Sequence, residues 1–151
     1  MDLSKAFDTL DHKIMLDKLY HYGIRGIAHD WFQNYLSYRK QYVHINETSS
    51  KQLPITCGVP QGSILGPLLF LIYVNDLANV SKHAITILFA DDTNTIFEAH
   101  TYDELMAMIQ NDLICISTWF KANKLALNES KTKFMIFHKY FDKPPSSFGI
   151  T

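Results

Sequence analysis

Cysteine is scarce in this chain. Cys57 and Cys115 lie far apart, which leaves no zinc spacing and no disulfide framework. Among the seven histidines no two stand three or four residues apart, so a histidine metal site on one helix face is excluded. Long apolar runs are also missing. The longest, Ile64 to Val74, is broken by Gly66 and Pro67 and falls short of a bilayer span. The first residues lack the basic, apolar and small-residue succession of a signal peptide, and the expectation is an intracellular chain with no membrane association. Nor is there a surplus of basic charge: the net charge is −1, which argues against a self-sufficient nucleic-acid binder.

What is present suits a globular fold. A chain of 151 residues, 47% hydrophobic and 19% charged, can bury a real core within one domain. Charge is uneven along it. Lys121, Lys124, Lys131, Lys133, Lys139 and Lys143 face only Glu129 and Asp142, a stretch that can follow a phosphate backbone or simply be solvated.

Local signals order the elements. Asp11 reads as the N-cap of a helix over 13–22 that Gly23 ends. A second helix, 27–38, sets Ile27, Trp31, Tyr35 and Tyr38 on one face, expected to be core. Residues 41–45 and 52–56 alternate as strands and are joined as a hairpin by the polar link 46–50. A Gly- and Pro-containing loop over 58–62 follows, and Ser63 can cap an apolar helix over 64–78, with Pro67 in its first turn. Residues 85–89 and 95–97 make a second hairpin, and Thr101 with Glu104 forms a capping box. The helix that follows aligns Leu105, Ile109, Leu113, Ile116 and Phe120. A short strand over 133–138 precedes a loose tail. Mixed helices and antiparallel hairpins predict an α+β fold, an antiparallel sheet with helices packed on one face.

Three segments can carry chemistry. In the first, Asp91 and Asp92 stand side by side after the strand-like run ending at Ala90. Adjacent carboxylates repel, and partial burial at a strand end is costly unless a cation compensates. Hard dications such as Mg²⁺ take such oxygen ligands together with substrate phosphates. A hairpin turn accounts for the pair equally well. Carboxylates from a separate strand would be needed to complete a two-ion site, and Asp2 and Asp8 are available, with Asp8 better suited to begin a turn. The second segment is Pro60-Gln61-Gly62-Ser63-Ile64-Leu65-Gly66-Pro67, where glycines allow close backbone approach and Gln61 offers both donor and acceptor; its plain alternative is a loop entering a buried helix. The third, Asn128 to Lys133, offers Lys131 to neutralise or protonate a leaving pyrophosphate, or merely as a solvated lysine.

Taken in their order, Asp2 to Phe7, the Pro60–Pro67 run, Phe89-Ala90-Asp91-Asp92 and Asn128 with Lys131-Thr132 closely resemble the palm of reverse transcriptases, specifically those of non-LTR retrotransposons. The resemblance covers roughly Asp2 to His138. It implies RNA-directed DNA polymerase activity, with Asp2 and Asp91 as the principal ligands of two Mg²⁺ ions, or Mn²⁺ in their place, and Asp92 as the more peripheral carboxylate. Phe7 matches the steric gate beneath the sugar, and a buried core ring fits the same position. Gln61 and Gly62 match the nucleotide and template contact, and Lys131 the general acid. RNA template, DNA primer and deoxynucleoside triphosphates are the implied partners, and nuclear residence the implied setting, although no basic run supports it.

Against the family pattern, the expectation from the sequence is that the strand before Asp2, the fingers and the thumb are missing. The expectation is a partial palm domain over 1–139 with a tail over 140–151, weak or inactive in isolation because positioning two ions and two strands demands a full scaffold. A catalytically inactive retroelement remnant, binding nucleic acid or a protein, is the alternative. A different metal-dependent nucleotidyl enzyme shares the two-carboxylate logic but not the Pro60–Pro67 run. Asp8, Asp11 and Asp76 read as structural.

Overall fold

A computed structural model describes Met1, Leu3 and residues 6–60, 62–128 and 130–138. The chain divides into two compact units, Lys5–Asn75 with Asn123–Leu125, and Met1–Ser4 with Asp76–Ala122 and Ala126–Thr151. Among the described residues no helix is long and apolar enough to cross a membrane.

The first unit opens with a 3-10 turn at Ala6–Asp8 and helix α1 (His12–His21). Asp11 caps α1 as its sequence demands, its Oδ1 accepting from the amides of Lys13 at 3.0 Å and Ile14 at 3.1 Å. Helix α2 (Ile27–Leu36) ends before Tyr38, which sits at φ +59° and cannot continue a helix. The expected core face of α2 is wrong. Ile27 is 89% and Tyr38 91% exposed, and Trp31 is exposed as well, stacking on Tyr35 with ring centres 5.4 Å apart. The inward face instead runs through His29, whose Nε2 donates to the Leu16 carbonyl at 3.2 Å, half-buried Phe32 and buried Leu36. The helical period is as read; its phase is set by α1, a neighbour that local spacing cannot see.

Strands β1 (Lys40–Gln41), β2 (His44–Ile45), β3 (Thr48–Ser49) and β4 (Leu53–Pro54) form one long hairpin in two short ladders, β1 on β4 and β2 on β3. Its apex is tighter than the expected five-residue link. Asn46 and Glu47 alone turn the chain, at φ +44° and +62°, the pair of left-handed residues that a two-residue hairpin demands. All four strands are exposed on both faces.

Helix α3 (Leu65–Val74) is apolar nearly throughout and supplies the unit's core with Leu69, Phe70, Tyr73 and Val74. Ser63 Oγ accepts from the Gly66 amide at 3.0 Å, the capping role its position implies. Fully burying side chains of this size contributes about 1.5–3 kcal/mol each. Tyr73 adds a polar handle, its buried hydroxyl donating to the Asn123 carbonyl at 2.8 Å. Tyr73→Phe is therefore expected to lower unfolding free energy by about 1–2 kcal/mol in urea titration. No change would mean that this hydroxyl is not needed there.

Through a 3-10 turn at Asn75–Asn79 the chain passes into the second unit. Strands β5 (Ile85–Phe89) and β6 (Asp92–Ile96) pair antiparallel over five residues, from Ile85 with Ile96 to Phe89 with Asp92. Helix α4 (Tyr102–Ala122) starts at the capping box, where the Glu104 amide donates to Thr101 Oγ1 and the His100 amide to Glu104 Oε2, each at 3.3 Å. The mixture of helices and small antiparallel ladders is α+β. The described strands form three two-stranded sheets rather than one. The expected strand over 133–138 makes no ladder among the described residues, and Phe134, Met135 and Phe137 are exposed. Strand propensity marks residues able to pair, but the partner is a matter of tertiary structure. The tail from residue 139 lies outside the described residues.

Candidate active site

Ile85-Thr86-Ile87-Leu88-Phe89 is β-branched and aromatic enough to favour a strand, and the chain must reverse within two residues to pair Phe89 with Asp92. Ala90 and Asp91 make that turn. Ala90 sits at φ +52°, where glycine is the ordinary choice and an L side chain costs about 1 kcal/mol. Such local strain recurs at functional sites. Asp91 is half-buried, and Asp92, the first residue of β6, is exposed. Neither carboxylate makes a hydrogen bond or ion pair with any described residue. The two readings of the pair are thus compatible. It forms the turn, and it leaves two adjacent carboxylates with no cationic side chain paired to them among the described residues.

Met1 comes to this hairpin. Met1 and Thr93 exchange both backbone hydrogen bonds, Met1 N donating to Thr93 O at 2.5 Å and Thr93 N to Met1 O at 3.0 Å. Leu3 in turn bridges antiparallel to Leu127. Asp2 itself lies outside the described residues. Directly after the Leu127 bridge, a turn closes on Asn128, whose carbonyl accepts from the amides of Lys131 at 3.2 Å and Thr132 at 3.0 Å. Lys131 is exposed on this turn.

As ligands for Mg²⁺, the two carboxylates have the right chemistry: hard oxygen donors, partly exposed, uncommitted to internal bonds. Among the described residues no group of three His, Cys, Asp or Glu side chains forms a metal cluster. Asp2, the third carboxylate expected from the sequence, lies between Met1 and Leu3 and outside the described residues.

Phe7 and Gly62 belong to the first unit. The Phe7 ring packs on Phe70 with centres 4.9 Å apart and is half-buried, so it is at least a packing residue. The strand-like residues before Pro60 are stitched to its segment: Gly58 N donates to Leu10 O at 2.7 Å, Val59 N to Phe7 O at 2.9 Å, and Asp11 bridges Cys57. His12 Nε2, 2.7 Å from Gly58 O, donates a further bond. Gly58 allows this approach, at φ +82° with the Asp8 backbone where a Cβ would project. Gly62 is exposed at φ +80° with open space around it, and Gln61 lies outside the described residues. Asp11 is structural, as expected. Burial opposes its ionisation, but the Lys124 ammonium at 2.6 Å and the capped amides outweigh it and hold the carboxyl below its usual range.

One acidic residue escaped the sequence reading. Asp112, on α4, is 1% exposed. Its carboxylate accepts from Ser81 Oγ, from the amides of His83 at 2.9 Å and Ala84 at 3.0 Å, and more distantly from Lys82 N at 3.4 Å. His83 Nδ1 lies 3.0 Å from Oδ1 and must carry the proton, because an ionised carboxylate only accepts. The available signal was a lone carboxylate beside Ile109, Leu113 and Ile116 in an otherwise apolar stripe. Burial works to raise its pKa, yet Ser81, the His83 amide and imidazole, and Ala84 hold it well below the carboxylate range. A depressed folded-state pKa gives stability that is complete above the unfolded carboxyl's ordinary value, about 4, and lost as pH falls below it. Denaturation midpoints measured from pH 5 down to pH 2 are expected to fall less steeply in Asp112→Asn than in the native chain.

The chain matches the reverse transcriptase (RNA-dependent DNA polymerase) family over residues 1–148. It is 27% identical to the probable RNA-directed DNA polymerase from transposon BS of Drosophila melanogaster, over 87% of this chain and 15% of that protein. Identity is 28% with the corresponding protein of the X-element, covering 96% and 16%, and 25% with that of the mobile element jockey, covering 91% and 16%, both also from Drosophila melanogaster. The chain thus spans 15% to 16% of the length of these relatives. The order of motifs and the match along nearly all of its length place the chain in the reverse transcriptase family, and its relatives are RNA-directed DNA polymerases of non-LTR retrotransposons.

Proposed function

We propose that this chain is the palm-like catalytic region of an RNA-directed DNA polymerase, joining deoxynucleotides to a primer 3′-hydroxyl along an RNA template. The observation that carries the reading is the Met1–Thr93 pair, which joins the residue before Asp2 to the residue after Asp92. Asp2, Asp91 and Asp92 would hold two Mg²⁺ ions, or Mn²⁺. When bound, these supply Lewis-acid stabilisation of triphosphate charge and a more acidic 3′-hydroxyl. The chain's own residues take the remaining roles. Phe7, its ring held by Phe70, excludes a 2′-hydroxyl sterically. Gln61 and Gly62 contact nucleotide and template, the glycine leaving room for close approach. Lys131, on its exposed turn, donates a proton to the departing pyrophosphate.

Primer extension on an RNA template with a DNA primer and Mg²⁺ tests the proposal. Incorporation by the native chain that disappears with Asp91→Asn supports it. Template binding without incorporation under every ionic condition favours a binding module instead.

A further inference from the structure

Strands β5 and β6 present a problem of support. An isolated two-stranded hairpin is marginal in water, and the face bearing Ile85, Ile87, Phe89 and Ile96 is exposed. Packing on that face therefore does not fix the position of Asp91 and Asp92. Two polar devices do hold the hairpin. Beside its apex, Thr93 is buried and paired with Met1. At its base, the loop Ser81–Ala84 wraps one carboxylate of α4, and Ile85 begins β5 at the next residue.

We propose that Asp112 is a positioning residue for the polymerase site, anchoring the base of the β5–β6 hairpin to α4 so that Asp91 and Asp92 are held in register for their metal ions. This role rests on the metal-site reading above. The chemistry of the clamp is specific. Every group directed at Asp112 is a donor: three backbone amides, one hydroxyl and one imidazole N–H. Only an acceptor-only side chain satisfies all of them, and asparagine, nearly the same shape, would set its own N–H₂ against them. Ser81 adds a second tie, its Oγ accepting from Ala84 N at 2.9 Å while its proton goes to Asp112. Helix α4 runs from Tyr102 to Ala122, so Asp112 lies at its middle, away from fraying ends. Outer groups that orient metal ligands have large effects on affinity without touching the ion.

Two readouts on the full chain test this, Mn²⁺ affinity by electron paramagnetic resonance and amide hydrogen exchange by residue. Asp112→Asn is expected to weaken Mn²⁺ binding about tenfold and to speed exchange at His83, Ala84 and along β5, with α1 and α3 unchanged. Ser81→Ala, which removes one donor and keeps the carboxylate, should shift both readouts in the same direction by less. Should Asp112→Asn fail to fold, Ser81→Ala carries the comparison alone. Faster exchange with unchanged Mn²⁺ affinity, or equal acceleration in α1 and α3, overturns the positioning role. Asp91→Asn separates the two claims. If it leaves Mn²⁺ affinity intact, the metal-site reading falls and the clamp's role with it. If it abolishes binding while Asp112→Asn does not weaken it, the clamp alone falls.

Discussion

Asp91→Asn is expected to lower primer extension at least about 100-fold while leaving the melting temperature within a few degrees of the native chain. Shape is preserved by the substitution. The Asp91 carboxylate makes no hydrogen bond or ion pair with any described residue, so nothing in the fold depends on its charge. Removing one of two adjacent like charges relieves repulsion and, if anything, stabilises the turn. What is lost is a hard oxygen ligand, and an amide is a poor substitute for it. Asp92→Asn should have the smaller effect, since Asp92 is the more exposed of the two. A loss of activity accompanied by an equal loss of fold would instead assign Asp91 a structural role.

Gly58→Ala should produce the largest loss of stability, about 3 kcal/mol or more. Two costs combine there. At φ +82° any L side chain is strained, and the added Cβ would lie 2.9 Å from the Asp8 carbonyl oxygen and 3.0 Å from its Cα, both backbone atoms that cannot rotate away. The backbone must shift, which strains the Gly58–Leu10 and Val59–Phe7 hydrogen bonds and hence the seat of Phe7. Gly23→Ala is the control. It shares the left-handed backbone, φ +92°, but has nothing within 4 Å of the new Cβ, so only the conformational cost of about 1 kcal/mol remains. Equal effects on thermal melting at the two positions would show that the close approach at Gly58 carries no weight.

What could be read from sequence was whatever local chemistry decides. Asp11 and Thr101 cap helices because a side-chain oxygen can reach free amides two or three residues on, and that geometry is written in a few residues. Asp91 and Asp92 stood out because adjacent carboxylates after an apolar run are unusual whatever surrounds them. Features set by distant partners were not legible. The buried side of α2 depends on α1, and the hairpin apex at Asn46–Glu47 depends on register. Residues 133–138 include the apolar run Phe134 to Phe137 that suits a strand, yet such a run cannot name a partner. Asp112 shows this most clearly: its donors lie 28 to 31 residues earlier, and a carboxylate in an apolar stripe reads as a lapse until those amides are seen around it. Within the site, Phe7 proved a packed ring as well as a gate candidate, while Asp2 and Gln61 lie outside the described residues.

Central to the proposed function is an Asp91–Asp92 turn that would hold a cation together with Asp2. A Mg²⁺ titration followed by backbone amide chemical shifts tests it most directly. The expected result is a saturable set of shifts concentrated at Ala90 to Thr93 and Met1 to Leu3, and absent in Asp91→Asn. Weak, unsaturable shifts spread evenly over exposed acids such as Asp17 and Asp30, unchanged by that substitution, would contradict it.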